Sequence, residues 1–251
     1  MSHKTKRLEM AVTSIQQRWG LRAIQKPDTA PAQAPFPHIP TGFPALDETL
    51  GIGGLAKGRV SEFLGNVTSG KTSLALQFLV QAQADRAQVA YIDPGRSFDP
   101  DYAHRCGLDL SRLLIAVPES AEEAFAIAEA LVGSGGFSAL VFDGLDHLWE
   151  TAHLGSSLGP FLNRLVAPLA KSNTVFLVLH TPDCEESGDF AALRHHATVR
   201  LRLSREQWLH NHGDVWGYTT RVEVVKNRLG AAQRAVTITI GFNDMAHRKG
   251  L

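Results

Sequence analysis

Residues 65 to 72 read GNVTSGKT and fit the phosphate-loop pattern G-x-x-x-x-G-K-[ST]. Glycines at both ends of such a loop let successive backbone N–H groups point inward at phosphate oxygens. Lys71 then places an ammonium on the outer phosphates, and the Thr72 hydroxyl ligates a magnesium ion that bridges them. The predicted nucleotide contacts are Gly65, Asn66, Val67, Thr68, Ser69, Gly70, Lys71, Thr72 and Ser73.

The sequence on both sides of this loop favours a nucleotide site over a glycine-rich surface turn. Residues 58–65 are apolar-rich and β-prone, and residues 73–83 carry apolar side chains at helical spacing. The loop would therefore open a helix, whose N-terminal dipole attracts anions. We predict a strand, a phosphate loop and a helix in succession.

The remaining pattern predicts an α/β fold. Further buried strands are predicted at 88–93, 113–117, 137–144 and 173–180, with helices at 121–135 and 157–170. Parallel strands that alternate with helices form a sheet flanked by helices, and a nucleotide binds at the carboxyl ends of the strands.

Three later segments show apolar and polar residues in alternation, at 198–204, 219–227 and 235–241. This alternation predicts a small antiparallel extension with one solvated face. The stretch 41–57 is predicted to be a turn-rich lead-in and 181–197 a polar loop. Arg200, Arg202 and Arg205 alternate along the first of these strands, which favours a solvated face over a nucleic-acid stripe.

The segment 137–144, FSALVFDG, is an apolar strand that ends in an acid. A buried parallel strand is continuously apolar, and its acid emerges at the carboxyl edge beside the phosphate loop. There Asp143 would hold the magnesium ion together with Thr72, through water in the case of the carboxylate. An aspartate that only caps the strand end is the alternative.

The N-terminal region predicts a short helix on a stiff arm. Over residues 5–19, Leu8, Ala11, Ile15 and Trp19 share one stripe. Five prolines between Gln25 and Pro40 predict an extended linker. The helix either folds back on its own domain or docks on a partner or neighbouring protomer. The predicted regions are 1–25 for docking, 26–40 as linker, 41–243 as core and 244–251 as a polar tail.

Composition narrows the class of protein. The chain has 251 residues and a hydrophobic fraction of 44%, which is enough for a large core. Its formal net charge is zero, so no overall electrostatic attraction draws it to nucleic acid or membrane. Its two cysteines do not make a disulfide framework, and we find neither a membrane-spanning stretch nor a secretory signal. We expect a cytoplasmic protein.

From residue 41 to about 242 the sequence resembles the RecA recombinase family. The resemblance rests on the lead-in TGFPALDETLGIGGLAKGRVSEFLG, the segment DPDYAHRCGLDLSRLL at 99–114, and the strands AKSNTVFLVLH and RVEVVKN. It implies a RecA-like core that binds ATP and Mg²⁺. It also implies that Tyr102 stacks on the adenine with Asp99 near it. Lys226 and Arg228 match a basic pair that reaches a neighbour's γ-phosphate, unless they are solvated charges.

The departures from that family concern hydrolysis and DNA. Where RecA proteins carry a catalytic glutamate, this sequence has Gly95, which cannot hold the attacking water by a side chain. Thr181 replaces a glutamine that senses the γ-phosphate. Both DNA-binding loops look short, and the second carries the phosphate-repelling acids Asp183, Glu185, Glu186 and Asp189.

This combination resembles the ImuA proteins, RecA-like proteins encoded beside the error-prone polymerase partner ImuB. The resemblance implies a nucleotide-binding regulator of damage-induced mutagenesis, with RecA or an ImuB-type protein as partner, weak ATPase at best and weak single-stranded DNA binding. A homo-oligomer joined through the N-terminal helix is a further expectation. A divergent DNA-dependent recombinase is the alternative, which needs Asp93 or Glu119 as a substitute base. A RecA-fold ATPase of another process is the third.

Overall fold

The computed structural model describes residues 3–20, 23–24, 36–152, 157–184 and 190–242 of the chain. The chain divides into two units, Met1–Pro35 and Phe36–Leu251. The first unit contains helix α1, His3–Trp19, which confirms the predicted N-terminal helix. Leu8, Ile15 and Trp19 of this helix are exposed. Residues 1–2, 21–22 and 25 of the predicted docking region, 26–35 of the predicted linker, and 243–251 of the predicted core end and tail lie outside the described residues.

The second unit contains the other elements. Its strands are β1 His38–Ile39, β2 Leu55–Ala56, β3 Val60–Gly65, β4 Gln88–Ile92, β5 Leu113–Ala116, β6 Phe137–Asp143, β7 Val175–His180, β8 Val199–Asn211, β9 Asp214–Asn227 and β10 Ala235–Gly241. Its helices are α2 Pro44–Leu50, α3 Lys71–Ala82, α4 Pro100–Arg105, α5 Ala121–Ser134, α6 Leu145–Ala152, α7 Leu158–Ser172 and α8 Ala191–His196.

The described strands form one large sheet in the order β10-β9-β8-β3-β7-β6-β4-β5, and β1 pairs with β2 in a small antiparallel ladder. All pairs from β8 to β5 are parallel, whereas β8–β9 and β9–β10 are antiparallel. The predicted α/β fold with a parallel sheet and an antiparallel extension is therefore confirmed. Strand β8 joins the two parts, because it pairs in parallel with β3 and in antiparallel fashion with β9.

The two faces of the sheet carry separate apolar cores. Successive residues of a strand point to opposite faces. Tyr91 and Val141 accordingly belong to the core with α3, and Ile92 and Phe142 to the core with α5 and α7. Two stacked rings, Phe125 and Phe161, lie between α5 and α7 at a centroid distance of 4.2 Å. Both faces of the sheet are covered, which explains the continuously apolar strands.

Capping residues set the ends of several helices. The Ser120 hydroxyl accepts a hydrogen bond of 3.1 Å from the Glu123 N–H and begins α5. Gly135 ends that helix in the left-handed region, at φ 67°. Asn173 ends α7 in the same way, at φ 58°. Among the described residues no helix is both long and apolar enough to cross a membrane.

Three short helices were missed by the sequence analysis. Helix α2 lies in the predicted lead-in and buries Leu46 and Leu50. Helix α8 lies in the predicted polar loop 181–197, where the buried Leu193 anchors it. Helix α6 follows Asp143, where we predicted no element. Helices of six to eight residues offer too few turns for an apolar period to emerge.

The hairpin of β8 and β9 is also longer than predicted. The strands extend to Asn211 and from Asp214, and His212 and Gly213 form the turn with φ values of 50° and 95°. The extension is exposed on both faces for most of its length, so it lacks the alternation that marks a half-buried strand.

Candidate nucleotide-binding site

The loop between β3 and α3 needs glycine at both of its fixed positions. Gly70 has φ 95°, a conformation that L side chains rarely adopt. A Cβ on Gly65 would lie 2.5 Å from the Leu203 carbonyl oxygen and 2.6 Å from Ser69 Oγ. The loop is therefore packed against β8, and it opens helix α3 at Lys71.

Lys71 bridges the loop that precedes it. Its ammonium donates hydrogen bonds to the carbonyl oxygens of Gly65 and, at 3.1 Å, of Asn66. Burial lowers the pKa of Lys71, and the negative charges of Asp143 and Asp146 oppose that shift. A partly desolvated cation at the head of a helix is suited to a phosphate, which restores the missing solvation.

Asp143 and Thr72 face each other across the loop. The Thr72 hydroxyl lies 3.5 Å from Asp143 Oδ2, which also accepts a 2.5 Å hydrogen bond from the Tyr91 hydroxyl. Burial raises the pKa of Asp143, and the nearby acids Asp146 and Asp93 raise it further. The raised pKa means that the local environment disfavours the charged carboxylate, so this group gains from a nearby cation.

This oxygen pair fits Mg²⁺. Magnesium keeps several waters and is held by one or two protein oxygens together with substrate phosphates. The part of the chain that the structure describes has no group of three or more His, Cys, Asp or Glu side chains able to hold a metal. A hydroxyl and a carboxylate beside a phosphate loop suit a phosphate-bound magnesium rather than a cage made of protein alone.

Ser69 gives an independent indication of a ligand. Its hydroxyl is buried and has no hydrogen-bond partner among the described residues. Its carbonyl oxygen is satisfied, because the Thr220 hydroxyl donates to it at 3.0 Å. A buried hydroxyl without a partner costs roughly 1–3 kcal/mol, and a bound phosphate oxygen would remove that cost.

A cavity of about 390 Å³ opens over these groups. It is lined by Val67, Thr68, Ser69, Gly70, Lys71, Thr72, Ser73, Gly95, Ser97, Asp143, Gly144, Asp146, His147, Thr181 and Tyr218. It thus brings seven of the nine predicted loop contacts, residues 67–73, together with Asp143, Gly95 and Thr181, whereas Gly65 and Asn66 do not line it. Asp146, His147 and Tyr218 were not predicted. The position of Asp146 and His147 just after Asp143, at the end of β6, could have indicated that they belong to the site. No sequence feature indicated Tyr218.

Gly95 does not need to be glycine for its conformation. Its φ lies outside the left-handed region. A Cβ at this position would make only ordinary contacts, 3.9 Å from Asp93 Oδ1 and 4.0 Å from the His147 ring carbon Cγ. A larger side chain could therefore enter the cavity from residue 95.

Asp99 and Tyr102 do not line that cavity. The Asp99 carboxylate caps α4 and accepts a 2.9 Å hydrogen bond from the Tyr102 N–H. The Tyr102 hydroxyl is bonded at 2.7 Å to Ser73 Oγ, which Tyr218 approaches at 3.1 Å from β9. Burial raises the pKa of Tyr102. Both tyrosines therefore contact Ser73 in the first turn of α3, Tyr102 from α4 and Tyr218 from β9.

Lys226 and Arg228 lie near the amino-terminal ends of the parallel strands β3 and β8, whereas the phosphate loop follows the carboxyl end of β3. Lys226 donates to the carbonyl oxygens of Arg194 and His195 at 2.5 and 3.1 Å, and Arg228 donates to that of His195 at 2.6 Å. Burial lowers the pKa of Lys226, as do Arg228 and Arg200. The described structure does not bring this pair to the chain's own phosphate loop.

Arg200 does not lie on a solvated face, and that prediction was wrong. It is buried on β8 and pairs with Glu62 of β3 through hydrogen bonds of 2.6 and 3.0 Å. His180 Nε2 of β7 lies 2.7 Å from the same carboxylate. Only Arg202 and Arg205 of the three arginines reach solvent, because β8 is covered where it pairs with β3.

The fold and the cavity define a phosphate-loop protein with a mainly parallel sheet. The profile of the RecA N-terminal domain matches residues 6–171. Protein RecA of Methylococcus capsulatus is 32% identical, over 99% of this chain and 78% of that protein. Protein RecA of Chlorobium chlorochromatii is 34% identical, over 97% and 75%. Protein RecA of Rhizobium rhizogenes is 33% identical, over 98% and 74%. The chain belongs to the RecA family.

Proposed function

We propose that this protein binds ATP with Mg²⁺ and acts as a regulatory RecA-like protein of DNA repair, of the ImuA branch. Its role is in damage-induced mutagenesis, through contacts with RecA or an ImuB-type polymerase partner. One observation carries the proposal: a complete phosphate-loop cavity has Gly95 in its wall where hydrolysis needs a side chain.

Nucleotide binding is supported by three features of that cavity. Lys71 is a partly desolvated cation, Ser69 has a buried hydroxyl without a partner among the described residues, and Asp143 is a half-buried acid opposite Thr72. In the proposed complex Lys71 and the loop N–H groups hold the phosphates, and Thr72 and Asp143 hold the magnesium ion. The ion neutralises charge that develops on the phosphates when it is bound.

Slow turnover follows from the wall of the same cavity. Hydrolysis needs a group within hydrogen-bond reach of the attacking water, and its loss typically costs 10²–10⁴-fold in rate. Gly95 has no such group. We infer that bound ATP persists without being hydrolysed, which suits a protein that signals through its ATP-bound state. Tyr102 and Asp99 are proposed to lie on the base side of the nucleotide.

The remaining parts of the proposal concern partners. Residues 1–25 form the docking element, for a partner or for a second copy, 26–40 the linker, 41–243 the core and 244–251 a tail, in a cytoplasmic protein. Zero net charge and Asp183 support weak binding of single-stranded DNA. The other acids of that segment, Glu185, Glu186 and Asp189, lie outside the described residues.

The test combines nucleotide and partner measurements. Calorimetry should detect ATP binding that needs Mg²⁺, and turnover should be slow and little changed by single-stranded DNA. Purified RecA or an ImuB-type protein should be captured by the full chain and not by a chain without residues 1–25. The truncated chain should melt as the parent does. Absence of ATP binding would refute the nucleotide role, and a truncation that melts the core would refute the docking role.

A divergent DNA-dependent recombinase is the second candidate. It is favoured by Lys226 and Arg228, which lie near the amino-terminal ends of β3 and β8 and would need the phosphates of another copy to act. That candidate requires turnover that DNA stimulates strongly and that falls on dilution. The same assay therefore separates the two candidates.

A further inference from the structure

The cavity wall contains few groups that can take a proton from water. The described lining has two carboxylates, Asp143 and Asp146, one imidazole, His147, and several hydroxyls, which are weak bases. Asp143 already accepts from Tyr91 and faces Thr72, where magnesium is proposed. The choice therefore falls on the two neighbouring residues of α6.

The two acids that the sequence suggested as substitutes do not reach the cavity. Asp93 is buried and holds its own loop, because its carboxylate accepts from the Phe98 N–H at 2.8 Å and from the Ser97 hydroxyl at 3.2 Å. Glu119 is exposed and faces Arg96 at 3.8 Å. Neither is among the residues that line the cavity.

Helix α6 places His147 against the position that lacks a side chain. A Cβ built on Gly95 would lie 4.0 Å from both Cβ and Cγ of His147, so the imidazole packs beside the space that a side chain of residue 95 would occupy. Asp93 Oδ1 lies 3.9 Å from the same position, but that carboxylate is engaged by Phe98 and Ser97. Asp146 also lines the cavity, but its Oδ1 already accepts a 3.0 Å hydrogen bond from the His147 N–H, and its charge acts on Lys71 and Asp143. The left-handed Gly144, at φ 105°, makes the sharp turn from Asp143 into this helix.

We propose that His147 is the proton acceptor for the residual hydrolysis of ATP in this site, an inference that rests on the proposed nucleotide binding. The water oxygen forms a bond to the γ-phosphorus while the bond from that phosphorus to the β–γ bridging oxygen breaks, and its electron pair leaves with ADP. One proton of the water passes to the imidazole and then to solvent. The products are ADP and phosphate.

The experiment compares His147→Ala with the parent and with His104→Ala, an exposed histidine on α4 outside the cavity. Single-turnover hydrolysis should fall about 10²-fold in His147→Ala and stay unchanged in His104→Ala. ATP affinity by calorimetry should change less than twofold in both. Affinity for ADP–aluminium fluoride, which mimics the transferring phosphoryl group, should fall only in His147→Ala.

Added imidazole supplies the decisive readout, because a structural role would not respond to it. It should restore part of the rate in His147→Ala and none in Lys71→Ala. A His147→Ala protein that hydrolyses at the parent rate overturns the inference, as does a rate loss matched by an equal loss of ATP affinity. A parent with no turnover above that of ATP in buffer also overturns it. If the parent binds no ATP, the proposed function itself fails, which the calorimetry shows separately.

Discussion

Two groups of charged residues lie near strand β3, one at Glu62 and one beside the phosphate loop, and they differ in how well their charges are compensated. Glu62 of β3 meets Arg200 and His180 in a closed cluster in which every charge has a hydrogen-bonded partner. Three residues later, the phosphate loop begins and lines the cavity. There, burial lowers the pKa of Lys71 and raises that of Asp143, so it disfavours the charged form of both side chains. Charged side chains with a purely structural role are paired within the fold. The incompletely compensated charges of Lys71 and Asp143 therefore indicate that the cavity binds a charged ligand.

The largest expected effect is on the closed cluster. Arg200→Met would leave Glu62 buried without its arginine partner, and the free energy of unfolding should fall by about 3–5 kcal/mol. Arg202→Met is the matched control, because Arg202 lies on the same strand and approaches Glu223 at only 3.8 Å with both side chains partly exposed. Its effect should stay within about 1 kcal/mol.

Denaturant unfolding of the two variants makes that measurement. Burial opposes the charged form of Glu62, but hydrogen bonds from His180 and Arg200 outweigh it and lower the pKa of this carboxyl. Its contribution is therefore present above the ordinary glutamate pKa and lost as pH falls through the lowered value. Equal destabilisation by the two substitutions would contradict the prediction that the buried Arg200–Glu62 pair matters more than the partly exposed Arg202–Glu223 pair.

The next effect concerns the open site. Lys71→Ala removes the ammonium that we expect on the outer phosphates, and ATP affinity should fall about 100-fold, the loss of one charge-assisted contact of roughly 2.7 kcal/mol. Lys171→Ala, at the exposed end of α7, is the control and should bind as the parent does. Calorimetry at fixed Mg²⁺ checks this. An unchanged ATP affinity in Lys71→Ala would mean that Lys71 does not hold the phosphates.

A carboxylate at residue 95 should sharpen the contrast. Gly95→Glu adds an acceptor to the cavity wall, and turnover should rise by about tenfold at unchanged ATP affinity. Gly95→Gln is the control, since an amide of the same size cannot take a proton. Backbone strain does not confound the test, because Gly95 is outside the left-handed region. A folded Gly95→Glu protein with parent turnover would contradict the prediction.

The smallest effect is a gain in stability. Burial raises the pKa of Asp143, so at neutral pH its charge costs stability in the protein without nucleotide. Asp143→Asn should melt at a higher temperature, and the gain should vanish as pH falls toward the unfolded value of 3.8. Saturating Mg²⁺ and ATP should reverse the order of melting temperatures. A lower melting temperature for Asp143→Asn without nucleotide would refute the claim that the Asp143 charge destabilises the nucleotide-free protein.

Local patterns predicted the parts of the site that lie close in sequence. The phosphate loop, the strand to Asp143 and the four other predicted parallel strands, β3, β4, β5 and β7, follow from motif and apolar runs. Strand β8 was predicted only as part of the antiparallel extension, although it also pairs in parallel with β3. The burial of Arg200 could not be predicted, because alternation along a strand does not reveal an ion-pair partner on the neighbouring strand. That partner, Glu62, lies 138 residues earlier in the sequence. His147 and Tyr218 were missed for a related reason, since only the assembled sheet edge brings them to the loop.

The position of β3 has a consequence for how the chain matures on the ribosome. Its neighbours in the sheet are β7 and β8, so Glu62 meets His180 and Arg200 across separations of 118 and 138 residues. At ordinary synthesis rates this strand emerges on the order of ten seconds before its last neighbour. Strands β4, β5 and β6 can pair earlier and form a seed. The nucleotide pocket is then a late product of translation, and an early fragment of the protein would be unable to capture ATP.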